Sequence, residues 1–485
     1  MAKVVGGEIK NKAFRGVGAL VLRNLLMQPI SFLGFVFLSI FLKRWELGVF
    51  WAVSEIVGFL GYFSDIGLAA ALIQKKAEPK KEEIRATFTA QQLLVVLLIS
   101  LVVIFTPWLQ ERFGFDDQGR WLLYALLFGF FAASLKTIPS VMLERRLQFE
   151  KLAIVDLVEQ VTFTGLAVLL AWGGLGVNSW VLAVFARALV GVILIYFFSP
   201  WPVGFSFHFE AIKGLIKFGL PFQTNSLLAV AKDRLVNIFL WGLLGSDGVG
   251  ILGWAQRWAQ IPLRFLMDSV IRVTFPAYSR LQDNRQRLGR ALEKSCFFIN
   301  LFIFPVLAGM GLVMPKIVNI FPQYHKWTIA IVPFWWFLAN FAFGAATTPL
   351  VNAFNSVGKV KISFNLMAFW TILTWLLVPP LARLRGANGA AIGLFLVSAS
   401  SFIAWWLAKR EFDFSLTKAI FSPLMLTLVM VTGLLIIDRY LPETISGLAI
   451  FISLGVLIYG LMLVLFQKKD LIWFVNGIFD LVKKS

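Results

Sequence analysis

From Gly248 to Arg280 the chain stays apolar long enough to cross a bilayer, yet it carries Arg257, Arg264, Asp268 and Arg272. Their spacings of seven, four and four residues put all four within about 80° of arc on one helix face, at about 100° per residue. Gln260 lies at the edge of that arc. The stripe rises about 22 Å, most of a hydrocarbon core about 30 Å thick. Each such ion costs on the order of 3 kcal/mol at a helix centre. Three arginines and an aspartate therefore face a protein interior or a watery cavity rather than lipid, and the excess is cationic.

The rest of the chain agrees with a membrane setting. Of 485 residues 59% are hydrophobic and 15% charged, against about 25% charged in soluble domains. Mean hydropathy is +0.80. At about 20 residues per span the apolar blocks count to about fourteen helices, an all-α polytopic membrane protein with little chain left for a soluble catalytic headpiece. The leader 1–15 is basic and polar and lacks the short apolar region and small-residue cleavage site of a signal peptide. The single cysteine, Cys296, excludes an internal disulfide and a thiolate metal cluster, and His208 and His325 lie far apart, so neither a metal nor a cofactor is expected.

A net charge of +19 would suggest nucleic acid in a soluble protein. Here its placement argues otherwise. With the N-terminus taken as cytoplasmic, most of the 45 Lys and Arg fall in the tails and even-numbered loops, a positive-inside pattern that puts both termini in the cytoplasm. No nucleic acid partner is expected.

Along the chain, residues 16–200 hold six spans, the first with Arg23 before Pro29 and the second with Glu55, Tyr62 and Asp65. Asp156 and Glu159, three apart on span five, share one face and have Arg145, Arg146 and Lys151 as the nearest cations in sequence. A more polar link at 201–214 marks the expected boundary between lobes. The second lobe, 215–410, opens with Lys232, Asp233 and Arg234 near the middle of span seven and continues with the stripe on span eight. Two uniformly apolar spans at 411–467, suited to the outside of the bundle, and an interfacial amphipathic helix at 468–485 complete the expectation.

The stripe also has an echo. Span two and span eight share a Gly-apolar opening and an aspartate, Gly48 to Asp65 spanning seventeen residues and Gly250 to Asp268 eighteen. Both end in a basic cytoplasmic loop. Six spans separate them, so the two halves are expected to have the same topology, related by an axis along the membrane normal.

The segments FSDIGLAAALIQKK (63–76), ERRLQFEKLAIVDLVE (144–159), 217–257 and FPAYSRLQDN (275–284) resemble the polysaccharide and lipid-linked oligosaccharide flippases, of O-antigen (Wzx) type, in the multidrug/oligosaccharidyl-lipid/polysaccharide exporter superfamily. The resemblance implies two six-helix lobes around a central cavity plus two C-terminal helices, alternating access, and export of an undecaprenyl-pyrophosphate-linked glycan across a bacterial cytoplasmic membrane. Membrane lipids and other polysaccharide-assembly membrane proteins are the partners it implies. A lipid II flippase shares this plan. A membrane-embedded glycan polymerase or ligase would also use arginines, but the longest outer loop, 108–120, is too short for one, and no acid/base pair clusters at an outer surface.

Arginine forks suit a pyrophosphate, so Arg257, Arg264 and Arg272 are the leading substrate-binding candidates, with Gln260 beside them. Arg23 is read either as a substrate contact or as a side chain snorkelling to the surface. Lys232, Asp233 and Arg234 are consecutive and point in different directions, so at most two reach a cavity, with Arg234 or Lys232 favoured. Glu55 is a candidate ion or proton site or arginine partner. Asp233 and Asp268 are candidate ion-pair members, and Asp65, before Gly67, reads as a cap at an interrupted helix or as a further ion site. Trp51, Tyr62, Trp254 and Trp258 are candidates to stack on sugars.

Overall fold

A bilayer leaves backbone polar groups no partner but one another, which restricts spanning segments to helices or closed barrels. The computed structural model describes residues 2–64, 67–75, 77–415 and 417–467, with helical side chains described except at 2–15, 17, 209, 211, 215–233, 268–269 and 272–273. Among the described residues there is no strand. The α-helices are α1 (Ala2–Phe41), α2 (Arg44–Gly61), α3 (Leu68–Gln74), α4 (Lys81–Phe113), α5 (Asp117–Arg145), α6 (Phe149–Trp172), α7 (Asn178–Phe198), α8 (Lys213–Arg280), α9 (Arg285–Ile320), α10 (Ile331–Ser356), α11 (Val360–Ala399), α12 (Phe402–Glu411), α13 (Ser422–Asp438) and α14 (Ile445–Phe466).

Where these elements break is set by glycine. The helix expected through span two is interrupted between α2 and α3, with Gly67 at φ 75. A side chain there would cost about 1–2 kcal/mol. Asp65, the expected cap, lies outside the described residues. The long α8 turns at Gly245 (φ 67, ψ −179), separating the expected spans seven and eight. The stretch Val360–Glu411 is 52 residues long, more than twice one crossing, and it folds back at Arg385 and Gly386 (φ 60). Eleven described stretches are apolar and long enough to span. The α2/α3 pair is kept off that count by Arg44, Glu46 and Glu55, and two of the eleven contain a break, one at Gly245 and one at Arg385 and Gly386.

By contact density the chain forms two compact units, Met1–Gly250 and Ile251–Ser485. In the first, α6 packs on α1 and α7, and α5 packs on α7, α2 and α4. Leu68, Leu72, Phe88, Ile138 and Val141 form one core of it. In the second, α9 packs against α10, α13 and α14, and α10 against α11 and α12. Lipid tails are as apolar as leucine, so close packing and interhelical hydrogen bonds hold such helices together. Tyr459 donates to the Leu301 carbonyl (2.6 Å), the Asn300 amide to Ala419 (3.0 Å) and Trp405 to Thr347 Oγ1 (3.0 Å). The last two spans, α13 and α14, bury Leu426, Met430, Leu434, Phe451 and Tyr459 and expose much of the rest of their apolar surface. The C-terminal segment 468–485 lies outside the described residues.

Candidate functional site

Past Gly245, α8 has two unlike faces. Trp254, Ala255 and Ala259 are fully buried and Trp258 nearly so. Trp254 stacks on Trp327 with ring centres 5.0 Å apart and planes 7° from parallel, and its ring also meets Tyr324 and Phe334. This aromatic block fixes the rotation of the helix. Ala255 and Ala259 lie about 160° around from Arg257, at about 100° per residue. Arg257 and Arg264 are accordingly exposed, and Gln260 is half-buried. The backbone of Asp268 and Arg272 continues the same helix, while their side chains lie outside the described residues. Burial takes Trp254, Trp258 and Trp51 out of any sugar-stacking role and makes them packing residues. Tyr62 sits under the Arg234 guanidinium, 5.9 Å from ring centre to Cζ.

The first half of α8 meets α2 through charge and through absent side chains. Arg234 Nη1 donates to Glu55 Oε2 at 2.8 Å, and the Asn237 amide donates to Glu55 Oε1 at 3.2 Å. Gly58 leaves the space the guanidinium occupies, since a Cβ there would overlap Arg234. Lys232 and Asp233 have no described side chain. At the other end of α2, Arg44 Nε donates to Asp247 Oδ1 at 3.0 Å. The two glycines of the sequence echo sit against each other: a Cβ on Gly48 would strike the Ser246 carbonyl, and one on Gly250 the Arg44 carbonyl. Each glycine thus accepts the carbonyl four residues before the other, a reciprocal contact between equivalent points of the repeat.

Several further charges in the first unit find partners remote in sequence. Arg23 Nη1 donates to Asp156 Oδ2 at 2.5 Å, so Arg23 neither snorkels nor stands open. Lys136 donates to Glu159 Oε1, and Arg187 Nε donates to Glu159 Oε2 at 3.4 Å while lying 5.5 Å from the centre of the Phe163 ring. Asp156 and Glu159 therefore do not pair with Arg145, Arg146 or Lys151, as their neighbourhood in sequence had suggested. Arg145 is engaged elsewhere, donating to the carbonyls of Leu72 (2.6 Å), Lys75 (2.7 Å) and Ala77 (3.0 Å) at the end of α3. The signal for the Lys136–Glu159–Arg187 cluster was present in the sequence as two cations and a carboxylate inside apolar spans, where none is tolerated alone. Among the described residues no group of three or more His, Cys, Asp or Glu is placed to hold a metal.

Residues 37–330, which cover the α2 echo, the ion pairs of the first unit other than Arg23–Asp156, and the whole α8 stripe, match the family described as polysaccharide biosynthesis protein. The chain belongs to that family. It is 22% identical over 473 residues to the succinoglycan biosynthesis transport protein ExoT of Rhizobium meliloti, covering 94% of this chain and 93% of that one. It is 20% identical over 397 residues to the lipopolysaccharide biosynthesis protein WzxC of Escherichia coli, covering 80% and 79%. Its fold matches the lipid II flippase MurJ in an inward closed conformation with a TM-score of 0.76, at 15% identity, over 93% of this chain and 100% of that one. These matches support the resemblance to Wzx-type flippases. The chain is a multi-pass membrane protein of the polysaccharide biosynthesis family.

Proposed function

We propose that this protein carries an undecaprenyl-pyrophosphate-linked oligosaccharide from the cytoplasmic to the outer leaflet of a bacterial cytoplasmic membrane by alternating access, with both termini in the cytoplasm. The observation that carries the reading is the exposure of Arg257 and Arg264 on the α8 face opposite its packed alanines. A face that bears three arginines and one aspartate along a membrane span needs water or an anion against it. A pyrophosphate matches it in charge and in the bidentate geometry of guanidinium. Arg257, Arg264 and Arg272 take the pyrophosphate, and Gln260 supplies a neutral donor at the edge. Arg234 and Lys232 add positive charge near the middle of the preceding span, with Glu55 holding Arg234 in place when no substrate is bound. Arg23, paired with Asp156, is left out of the proposed substrate contacts. The lipid tail stays in the bilayer. With the inside negative, outward transfer of the dianion is favoured by about 2.3 kcal/mol per charge per 100 mV.

The test is complementation of a flippase-deficient bacterium by Arg257→Gln, Arg264→Gln and Arg272→Gln, with membrane insertion measured in parallel. Normal insertion with lost surface glycan, and the lipid-linked precursor accumulating inside, is the expected result. Accumulation of lipid II instead would reassign the substrate to the peptidoglycan precursor. Normal export by all three variants would sink the cationic-face mechanism.

A further inference from the structure

At the end of the first unit that carries the basic loops, a cavity of about 420 Å3 opens between the start of α4, the end of α5 and the irregular strap that follows α7. Its charged lining is Lys81, Arg85, Arg145 and Arg146, against the single carboxylate Glu78. Arg145 is occupied with the carbonyls at the end of α3, and the nearby Lys75 is taken by Glu83 at 2.5 Å. Lys81, Arg85 and Arg146 have no carboxylate partner among the described residues. Three like charges directed into one concavity repel unless an anion joins them. None of them belongs to the α8 stripe.

The strap explains what kind of anion fits. The strap carries apolar groups at the surface: Val203, Phe205 and Phe207 are exposed at 51%, 65% and 69%. The strap is held to α4: the rings of Trp201 and Phe205 lie 5.1 and 5.8 Å from that of Phe88, and the Ser206 N–H donates to Thr89 Oγ1 at 2.9 Å. Gly204 lets it cross beside Arg85, since a Cβ there would come within 2.8 Å of Nε. An apolar row at the end of membrane helices belongs at the boundary between headgroups and acyl chains. The cavity is therefore a cationic recess beside a row of side chains suited to lipid.

We propose that this recess is a phosphate-binding site for an anionic phospholipid headgroup, held by Lys81, Arg85 and Arg146 while Val203, Phe205 and Phe207 lie along its acyl chains. The proposal rests on the multi-pass membrane character of the chain and is independent of which glycan the protein moves. The full chain, purified in detergent, is titrated with phosphatidylglycerol and with phosphatidylcholine by native mass spectrometry, with and without millimolar inorganic phosphate. Removing all three cations (Lys81→Gln, Arg85→Gln, Arg146→Gln) is expected to weaken phosphatidylglycerol binding roughly a hundredfold, at about fivefold per cation. Removing three exposed cations of the second unit (Arg287→Gln, Arg290→Gln, Lys361→Gln) is expected to leave it unchanged. The single exposed variant Arg146→Gln gives the same direction should the triple variant fail to fold.

Two sources of the phosphate are told apart by the strap. Phe205→Ser with Phe207→Ser weakens binding of a lipid and leaves inorganic phosphate binding intact. If that double variant changes nothing and phosphate alone competes fully, the site takes a soluble phosphate. Equal loss of phosphatidylglycerol in the two triple variants, or no loss in either, overturns the site.

Discussion

In the first unit, several charges inside the helices are matched by charge across helix neighbours. Arg23 has Asp156, Arg234 has Glu55, Arg44 has Asp247, and Lys136 and Arg187 share Glu159. On α8 between 257 and 272, three arginines meet one aspartate along the helix, and the described ones are exposed. The contrast separates two uses of the same residue type. A matched pair between helices fixes which helix lies beside which, because either partner alone would be stranded in a medium that cannot solvate it. The exposed face of α8 does not fix its packing, which falls to Trp254 and the two alanines. Under the proposed function, that face is the one an anionic substrate meets.

The largest test of this contrast is Glu159→Leu. The Glu159 carboxylate is 5% exposed and closely surrounded, since a Cβ on Gly191 would overlap it. Removing it leaves Lys136 and Arg187 without a counter-charge and is expected to cost about 3–5 kcal/mol. Thermal unfolding in detergent measures this, and a native-like midpoint would show that the cluster does not position its helices. Next come Gly48→Ala and Gly250→Ala. Each places a Cβ on a carbonyl of the facing segment, where backbone cannot step aside, and each is expected to cost about 1–3 kcal/mol. Gly165→Ala, whose Cβ meets nothing, is the control and should stabilise its helix by up to about 1 kcal/mol. Smaller again is the Arg23–Asp156 pair, whose side chains are 26% and 42% exposed. Either single leucine variant is expected to cost about 1 kcal/mol, and the double variant less than the worse single one. Strict additivity in that cycle would mean the pair contributes no coupling.

The spans were legible in the sequence because long apolar runs admit one structure in a bilayer and because Gly67, Gly245 and Gly386 end them at positive φ. The stripe was legible because a helix repeats every 3.6 residues. Ion-pair partners were not. Asp156 and Glu159 read locally as partners of Arg145, Arg146 or Lys151, but their cations come from α1, α5 and α7, since helix neighbours are chosen by packing of α6 against α1 and α7. Arg145 could not serve them, because the end of α3 needed a donor for its free carbonyls. Trp254 was misread for a similar reason: nothing in one helix's sequence reveals that Trp327, 73 residues on, stacks against it.

The smallest effect on stability, and the sharpest on function, is expected from Arg264→Lys. The residue is exposed on the unpacked face, so unfolding free energy should stay within about 0.5 kcal/mol of the native value. The charge remains, so attraction of an anion and the pull of the membrane potential remain with it. What is lost is a planar fork able to hold two phosphate oxygens at once, replaced by a point charge on a flexible stem. Glycan export is therefore expected to fall severalfold, between the native level and that of Arg264→Gln, with insertion unchanged. If Arg264→Lys exports as well as the native protein, the stripe acts through net charge alone and any cation suffices there. If it fails as fully as Arg264→Gln, the fork itself is what the substrate requires, and the stripe is a set of shaped contacts rather than a positive surface.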